Sequence, residues 1–284
     1  MNAIYATAVG TRQIGTKAVR TPDAPPLAFG WSSLKEVCAL LTVPAPDANA
    51  ELRFRRQRTK AGRWVYGIGE TFDALYIVLS GFLKMVLVDE SGNEQILGFP
   101  MKGDVLGMDG LCANKYVSQP VAICDSELVV IPFNELSQLG KEYSTLENWL
   151  YRTISRELVR EHEVIGLLGT LGAEARVARF LVMMSDRFKA MGFSATQFHL
   201  RMTRQEIGNY LGLSLETVSR SLSAMHDAGY IEVNRRALVI KALDVLRTMQ
   251  RLPTATKHAD VELREQATPV TAKDQSIWSS LATV

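Results

Sequence analysis

At 284 residues the chain is long enough for about two domains. It is 47% hydrophobic and 22% charged, as is usual for a soluble globular protein. No apolar run reaches the roughly 18–20 residues of a membrane helix, and the N-terminus lacks the pattern of a secretory signal. The three cysteines are too few and too scattered for a disulfide framework. A cytoplasmic protein with no membrane partner is therefore expected.

The net charge of +2 conceals an uneven distribution. Between Gly172 and Arg251 the chain carries 12 Lys or Arg residues against 7 Asp or Glu residues. A local excess of positive charge favours a polyanionic partner.

The first part of the chain reads as an arm followed by a β-rich domain. Residues 1–35 contain a proline-rich patch without hydrophobic periodicity and are predicted to be a flexible arm. Residues 36–138 contain short apolar runs separated by Gly and Asp, which indicates an antiparallel sandwich or barrel. The runs lie at 75–79, 82–88, 95–99, 121–123 and 128–131.

Residues 139–170 have apolar positions at helical spacing and predict one long amphipathic helix. Its length favours a dimerisation helix, although a long helix packed on its own barrel fits the same spacing. The predicted dimer positions are Leu150, Ile154, Leu158, Glu161, Ile165 and Leu168. Two Glu161 carboxylates facing each other would repel, which would oppose dimerisation. Alternatively, Glu161 lies at the edge and pairs with Arg160 or another basic neighbour.

Residues 171–252 predict a DNA-binding domain. A helix from residue 173 to 191 is followed by two shorter helices joined by a turn. Thr203 and Glu206 fit a capping box, Gly212 suits a turn with positive φ, and Ser214 can cap the second helix. Val218, Leu222 and Met225 form its buried face, and Gly229 ends it. Two short helices joined by a glycine-containing turn form a helix-turn-helix unit.

The opposite face of the second helix carries side chains that can read base edges. Glu216, Ser219 and Arg220 are predicted to contact bases, since Arg pairs with guanine and Glu accepts from cytosine. A β-hairpin with a basic tip follows. Predicted backbone contacts are Thr203, Arg204, Ser214, Thr217, Ser223, Arg235 and Arg236. A solvated helix face followed by a basic turn is the alternative interpretation.

These motifs resemble the CRP/FNR superfamily of transcription regulators, on its FNR-like side. The similarity runs from residue 52 to 240 and is strongest at 207–213 and 216–220. It implies an α+β fold with an N-terminal antiparallel β-roll like a cyclic-nucleotide-binding domain, a long dimerisation helix and a C-terminal winged helix-turn-helix. It also implies a homodimer on a palindrome resembling TTGAT-N4-ATCAA, because Leu215 replaces the Arg usual on the cAMP-receptor side.

The sensing residues depart from this family. An FNR-type [4Fe–4S] cluster needs four thiolates or close substitutes, and only Cys38 matches a family ligand position. Members that bind cAMP hold its phosphate with an Arg-Ser or Arg-Thr pair, whereas residues 115–119 contain only Lys115 as a cation. No histidine lies in the β-roll to ligate haem. No cofactor and no metal site are therefore predicted. Cys112 and Cys124 could form a redox pair, or each could fill a small hydrophobic space.

The sequence contains no metal-ligand pair, phosphate loop or nucleophile motif, so no enzyme and no catalytic residue are predicted. The predicted function is sequence-specific binding of double-stranded DNA and regulation of transcription through RNA polymerase. The resemblance places a possible polymerase contact at Gly92 and Asn93. The alternative is a redox- or ligand-gated sensor module whose main output is a protein partner. Residues 253–284 are predicted to be a tail.

Overall fold

The computed structural model describes residues 28–42, 53–89, 91–142, 148–155, 157–159, 162 and 171–249. The chain divides into two compact units between Leu158 and Val159. No helix among the described residues is both long and apolar enough to cross a bilayer.

The first unit is a β-roll of two antiparallel sheets. One sheet has the order β1-β2-β8-β3-β6 and the other β5-β4-β7. The strands are β1 (Ala28–Ser33), β2 (Arg53–Thr59), β3 (Ala74–Ser80), β4 (Leu83–Val88), β5 (Glu94–Gly98), β6 (Val105–Leu106), β7 (Gln119–Ala122) and β8 (Ser126–Pro132). The helices are α1 (Leu34–Leu40), α2 (Gly110–Ala113) and α3 (Phe133–Glu142). This confirms the predicted β-rich domain.

Two elements of this unit differ from the expectation. The predicted arm reached residue 35, but Ala28–Ser33 forms a strand paired with β2, so the arm is wrong from residue 28 onward. Ser33 then caps α1 in a capping box with Glu36. Hydrophobic periodicity did not predict the strand β2, because most of its residues are polar. Its arginines are held in part by pairing: Arg58 binds Glu127 at 2.7 Å and Arg56 lies 3.4 Å from Glu36.

The core of the β-roll contains a cluster of aromatic rings. Tyr66 stacks on Tyr116 with ring centroids 3.8 Å apart, and Phe72 meets Tyr116 edge-on at 5.5 Å. The Tyr116 hydroxyl donates to the carbonyl oxygen of Ala74 at 2.8 Å, and the Ala74 amide donates back at 3.2 Å. The buried hydroxyl is thus paired with the backbone of β3, as a buried polar group requires.

A helical segment at residues 148–155 and 157–159 follows. Trp149 is buried in the β-roll core and Leu150 packs against that core. Tyr151, Leu158 and Val159 are more than half exposed. The start of the segment therefore packs on its own domain, and Leu158 and Val159 in its later part are exposed apolar side chains.

The second unit contains four helices and one three-stranded sheet among its described residues. The helices are α4 (Ala173–Ala190), α5 (Arg204–Leu211), α6 (Leu215–Asp227) and α7 (Leu243–Met249). The sheet has the order β10-β11-β9, with β9 (Gln197–His199), β10 (Ile231–Asn234) and β11 (Ala237–Ile240). The predicted helix 173–191 is confirmed to within one residue, and Gly192 follows it with φ of 82°.

Candidate nucleic-acid interface

The helix α5 begins at a capping box, as predicted. The Thr203 hydroxyl oxygen accepts from the Glu206 amide at 3.1 Å, and a Glu206 carboxylate oxygen accepts from the Thr203 amide at 2.8 Å. Two backbone donors at the start of the helix are satisfied reciprocally. The first residue of α5, the exposed Arg204, therefore has a fixed backbone.

Two glycines shape the turn between α5 and α6. Gly212 has φ of 64°, which confirms the predicted left-handed turn. Gly208 has a different role: a Cβ atom there would lie 2.6 Å from the carbonyl oxygen of Leu213. The turn at Leu213 approaches α5 closely at this point because Gly208 has no side chain.

The helix α6 is anchored by one buried face. Val218, Leu222 and Met225 are buried, with Val218 and Met225 completely so. Ser214 caps the helix by accepting from the Thr217 amide at 3.1 Å. Both features were predicted. With its inner face fixed in the core, α6 must present the opposite face outward.

The outward face carries the predicted base-reading residues. Glu216 and Arg220 are exposed and Ser219 is half-buried, all within the first two turns of α6. A hydrogen bond from the backbone N–H of Glu216 lowers the pKa of its carboxyl group, and the Ser214 side chain and the Arg220 charge act in the same direction. Glu216 is therefore an ionised acceptor beside a cationic donor.

A contact between the two helices was not predicted. Arg204 of α5 donates from Nη1 to the Ser219 hydroxyl oxygen at 3.3 Å. Sequence spacing places Arg204 and Ser219 fifteen residues apart on different helices, so periodicity alone could not find this pair. The Ser219 hydroxyl accepts from Arg204, which leaves its own hydrogen available to a base acceptor.

The other predicted backbone contacts surround this face. Thr217 is half-buried, and its hydroxyl lies 3.0 Å from that of Ser214, whereas Ser223 is exposed. The wing is the β10–β11 hairpin, and its turn holds Arg235 with φ of 55° and Arg236, both exposed. The arrangement joins an outward helix face and a cationic turn in one unit, which suits phosphate contacts around a groove.

Two further residues support the interface from within the domain. Arg176 of α4 donates to the carbonyl oxygen of Leu211 at 3.2 Å, at the C-terminal end of α5. Phe180 of α4 meets Tyr210 of α5 with ring centroids 6.1 Å apart. These contacts orient the helix-turn-helix unit on α4. The sequence gives no sign of this role for Arg176, because only the fold brings its side chain to the end of α5.

Among the predicted dimer positions, Leu150 and Ile154 are half-buried and Leu158 is 52% exposed. Glu161, Ile165 and Leu168 lie outside the described residues, as does Arg160. The exposure of these three residues does not distinguish a dimerisation helix from a long helix packed on its own barrel, so both interpretations stay predictions.

The predicted polymerase turn is well ordered by its own hydrogen bonds. Gly92 has φ of 82°, and the Asn93 side-chain amide donates to Asp89 at 2.9 Å. Hydrogen bonds from the Asn93 side chain and backbone lower the pKa of Asp89. The side-chain amide of Asn93 therefore already has a partner within the turn.

The cysteines do not form one group. Cys38 is buried, Cys112 is exposed and Cys124 is half-buried, and all three are free thiols. Within the described ranges, no three His, Cys, Asp or Glu side chains are grouped so that they could hold a metal ion. The redox role of Cys112 and Cys124 stays a prediction.

Comparison with known proteins identifies the family. Residues 56–143 match the model of the cyclic nucleotide-binding domain, and residues 175–249 match that of the Crp-like helix-turn-helix domain. The transcriptional regulatory protein btr of Bordetella pertussis is 39% identical over 233 residues, which cover 81% of this chain and 96% of the relative. The chain belongs to the CRP/FNR family. It is a DNA-binding transcription regulator.

Two more relatives agree. Electron transport regulator A of Shewanella oneidensis is 36% identical over 210 residues, covering 73% of this chain and 84% of that protein. The solved structure of FixK2 from Bradyrhizobium japonicum matches with a TM-score of 0.64 and 28% identity, covering 70% of this chain and 98% of that one. The predicted family and the β-roll and winged helix-turn-helix architecture are confirmed.

Proposed function

We propose that this CRP/FNR family member binds DNA as a homodimer and reads a palindrome resembling TTGAT-N4-ATCAA. The proposal rests on one observation: Glu216, Ser219 and Arg220 share the outward face of a helix whose inner face is buried. Arg and Glu on neighbouring turns can recognise a guanine and a cytosine on opposite strands of the same groove. The second helix of such a unit enters the major groove with its N-terminal half, which is where these three residues lie.

The phosphate contacts are assigned to the residues around this face. Thr203, Ser214 and Thr217 surround the N-terminal ends of α5 and α6, where backbone amides and the helix dipole favour an anion. Arg235 and Arg236 approach from the wing. Such contacts set orientation and salt dependence but carry no sequence information.

The test is a mobility-shift titration with three duplexes of equal length. They contain TTGAT half-sites, TGTGA half-sites or a scrambled sequence. We expect the TTGAT duplex to bind at least about 1000-fold more tightly than the scrambled one at physiological salt. Equal affinity for all three duplexes would contradict the proposal that the protein recognises bases. A preference for TGTGA would contradict the assigned half-site.

Variants separate the two kinds of contact. Arg220→Ala should reduce the preference for TTGAT over its single-base variants. Arg236→Ala, the matched loss of one cation on the wing, should weaken binding to all duplexes alike and reduce the salt slope by about one. If both variants behave alike, the division into base and phosphate contacts is wrong.

The dimer proposal rests on the exposed apolar side chains of the helical segment, Tyr151, Leu158 and Val159. A second copy of this segment would cover them and would place two reading helices on two half-sites. Leu158→Asp should shift sedimentation toward the monomer. Leu97→Asp is the control, because Leu97 lies on β5 and is 48% exposed against 52% for Leu158. An unchanged dimer constant for Leu158→Asp would contradict the proposal.

Regulation through RNA polymerase, with Gly92 and Asn93 as a contact, belongs to the same proposal. The DNA and polymerase partners would place the protein in the cytoplasm. In vitro transcription from a promoter with a TTGAT-type site tests it. An Asn93→Ala variant that binds DNA normally but changes the transcript yield would support the contact, and an unchanged yield would contradict it.

A further inference from the structure

One carboxylate oxygen in the β-roll accepts three hydrogen bonds from two neighbouring residues. A single oxygen of Asp109 accepts from the Val117 amide at 3.1 Å, from the Ser118 amide at 2.6 Å and from the Ser118 hydroxyl at 2.7 Å. Two successive backbone amides and a hydroxyl that converge on one point form an anion-binding nest. Asp109 precedes α2 but makes no side-chain cap with it, so its carboxylate serves the nest instead.

The surroundings of this nest leave little freedom. Ser118 is only 4% exposed, and Tyr116 next to it is held on the backbone of β3 through Ala74. A Cβ atom on Gly110 would lie 2.6 Å from the ring of Phe72. The Ser118 side of the nest is therefore packed into the β-roll, whereas Val117 is 47% exposed. Asp109 ties together the two ends of the loop 109–118, which contains the short helix α2.

The electrostatic environment agrees with an anion at this point. Burial raises the pKa of Tyr66 well above its usual value, and the Asp109 charge is the next largest cause. The Tyr66 hydroxyl is buried, and a hydrogen bond with the Gly107 backbone acts on its pKa in the opposite direction.

This arrangement does not fit a cyclic nucleotide. The matched domain is named for such ligands, and family members hold the phosphate with an Arg-Ser or Arg-Thr pair in the region of residues 115–119. Here Ser118 already donates to Asp109, and the nearby Lys115 is exposed. A phosphate brought to these donors would meet a carboxylate, and two anions at one site repel.

We infer that Asp109 is the resident anion of this nest, so that the β-roll closes the loop 109–118 with its own carboxylate and excludes an external phosphate. Without that carboxylate the same donors would form a site for a small oxyanion such as formate or acetate. The loop then needs no ligand to stay closed. The inference concerns the β-roll alone and does not depend on the proposed DNA site.

The experiment is chemical rescue in the full-length protein, followed by thermal unfolding. Asp109→Ala should lower the unfolding midpoint by about 4–8 °C, because three donors lose a charged acceptor. Sodium formate should restore at least about half of this loss, whereas sodium chloride at equal concentration should not. The wild type should gain no more from formate than from chloride.

Two further variants make the result specific. Asp125→Ala is the matched control, because Asp125 also accepts two hydrogen bonds in the β-roll, from Lys60 and the Ala61 amide, but is exposed and lies in no nest. Formate should not rescue it. Ser118→Ala in the Asp109→Ala background should weaken formate affinity several-fold, since one donor of the nest is removed. If Asp109→Ala does not fold, Asp109→Asn is measured for its unfolding midpoint alone, because the Asn side chain still fills the nest and leaves no room for formate.

Three outcomes would overturn the inference. The first is an Asp109→Ala or Asp109→Asn midpoint equal to that of the wild type. The second is formate rescue no larger than the chloride effect or equal to that of Asp125→Ala. The third is stabilisation of the wild type by inorganic phosphate or cyclic AMP beyond the chloride effect, which would mean that an external anion reaches the nest.

Discussion

The turn between the two helices of the DNA-binding unit depends on the absence of a side chain at Gly208. In Gly208→Ala the new Cβ would lie 2.6 Å from the Leu213 carbonyl oxygen, which would have to retreat by roughly half an ångström. Alanine in a helix gains about 1 kcal/mol over glycine, while overpacking costs about 1–3 kcal/mol. The net loss of stability is therefore small, about 0–2 kcal/mol. The larger effect should be on DNA, because Ser214 follows Leu213 and caps the recognition helix.

We expect Gly208→Ala to lose roughly tenfold or more of its affinity for a TTGAT operator, measured by mobility shift, since displacement of the helix start weakens base contacts. Gly229→Ala is the control. A Cβ at Gly229 meets nothing within 4 Å, but its φ of 77° strains an alanine by about 1–2 kcal/mol. It should therefore lower the unfolding midpoint and leave operator affinity unchanged. Operator affinity of Gly208→Ala within twofold of wild type would refute the reasoning.

Three other outcomes are expected from the same structure. A hydrogen bond from its own backbone N–H lowers the pKa of Glu216, so its carboxylate stays ionised as the pH falls to 5.5. The preference for the operator in mobility shifts should therefore be equal at pH 7.5 and 5.5. Loss of the preference over this range would contradict an ionised Glu216 as the base contact. Burial raises the pKa of Cys38, so a maleimide should label the exposed Cys112 in the native protein and Cys38 only after denaturation, as mass spectrometry would show; native labelling of Cys38 would be inconsistent with its burial. Phe198→Ala should cost about 3–5 kcal/mol in denaturant unfolding, whereas Phe193→Ala, at a side chain 61% exposed, should change stability little; similar losses would show that Phe198 is not a core residue.

The local structure of the helix-turn-helix could be predicted from the sequence. The capping box at Thr203, the left-handed Gly212 and the buried spacing of Val218, Leu222 and Met225 are set by interactions within a few residues. Hydrogen bonds at a helix start and the 3.6-residue period act over that range, so their pattern is visible in the chain. The same holds for the family resemblance, whose motifs lie in these segments.

Other features depended on residues that are far apart in sequence. The strand β2 lacks an alternating pattern of hydrophobic and polar residues. Two of its arginines instead form salt bridges with acidic residues of neighbouring elements, Glu36 and Glu127. Arg204 meets Ser219, and Asp109 meets Ser118, only after two segments have been brought together. A charged or hydroxyl side chain gives no sign in the sequence of which partner it will find, since that depends on packing.

The amino-acid sequence alone determined that this chain carries a helix-turn-helix with Glu216, Ser219 and Arg220 on one face, because helical periodicity separates buried from exposed positions. The tertiary structure decided how those residues are supported and what fills the nest of the β-roll. A hydrogen bond forms between atoms about 3 Å apart. Only the folded chain brings Arg204 to Ser219 and the Asp109 carboxylate to its three donors.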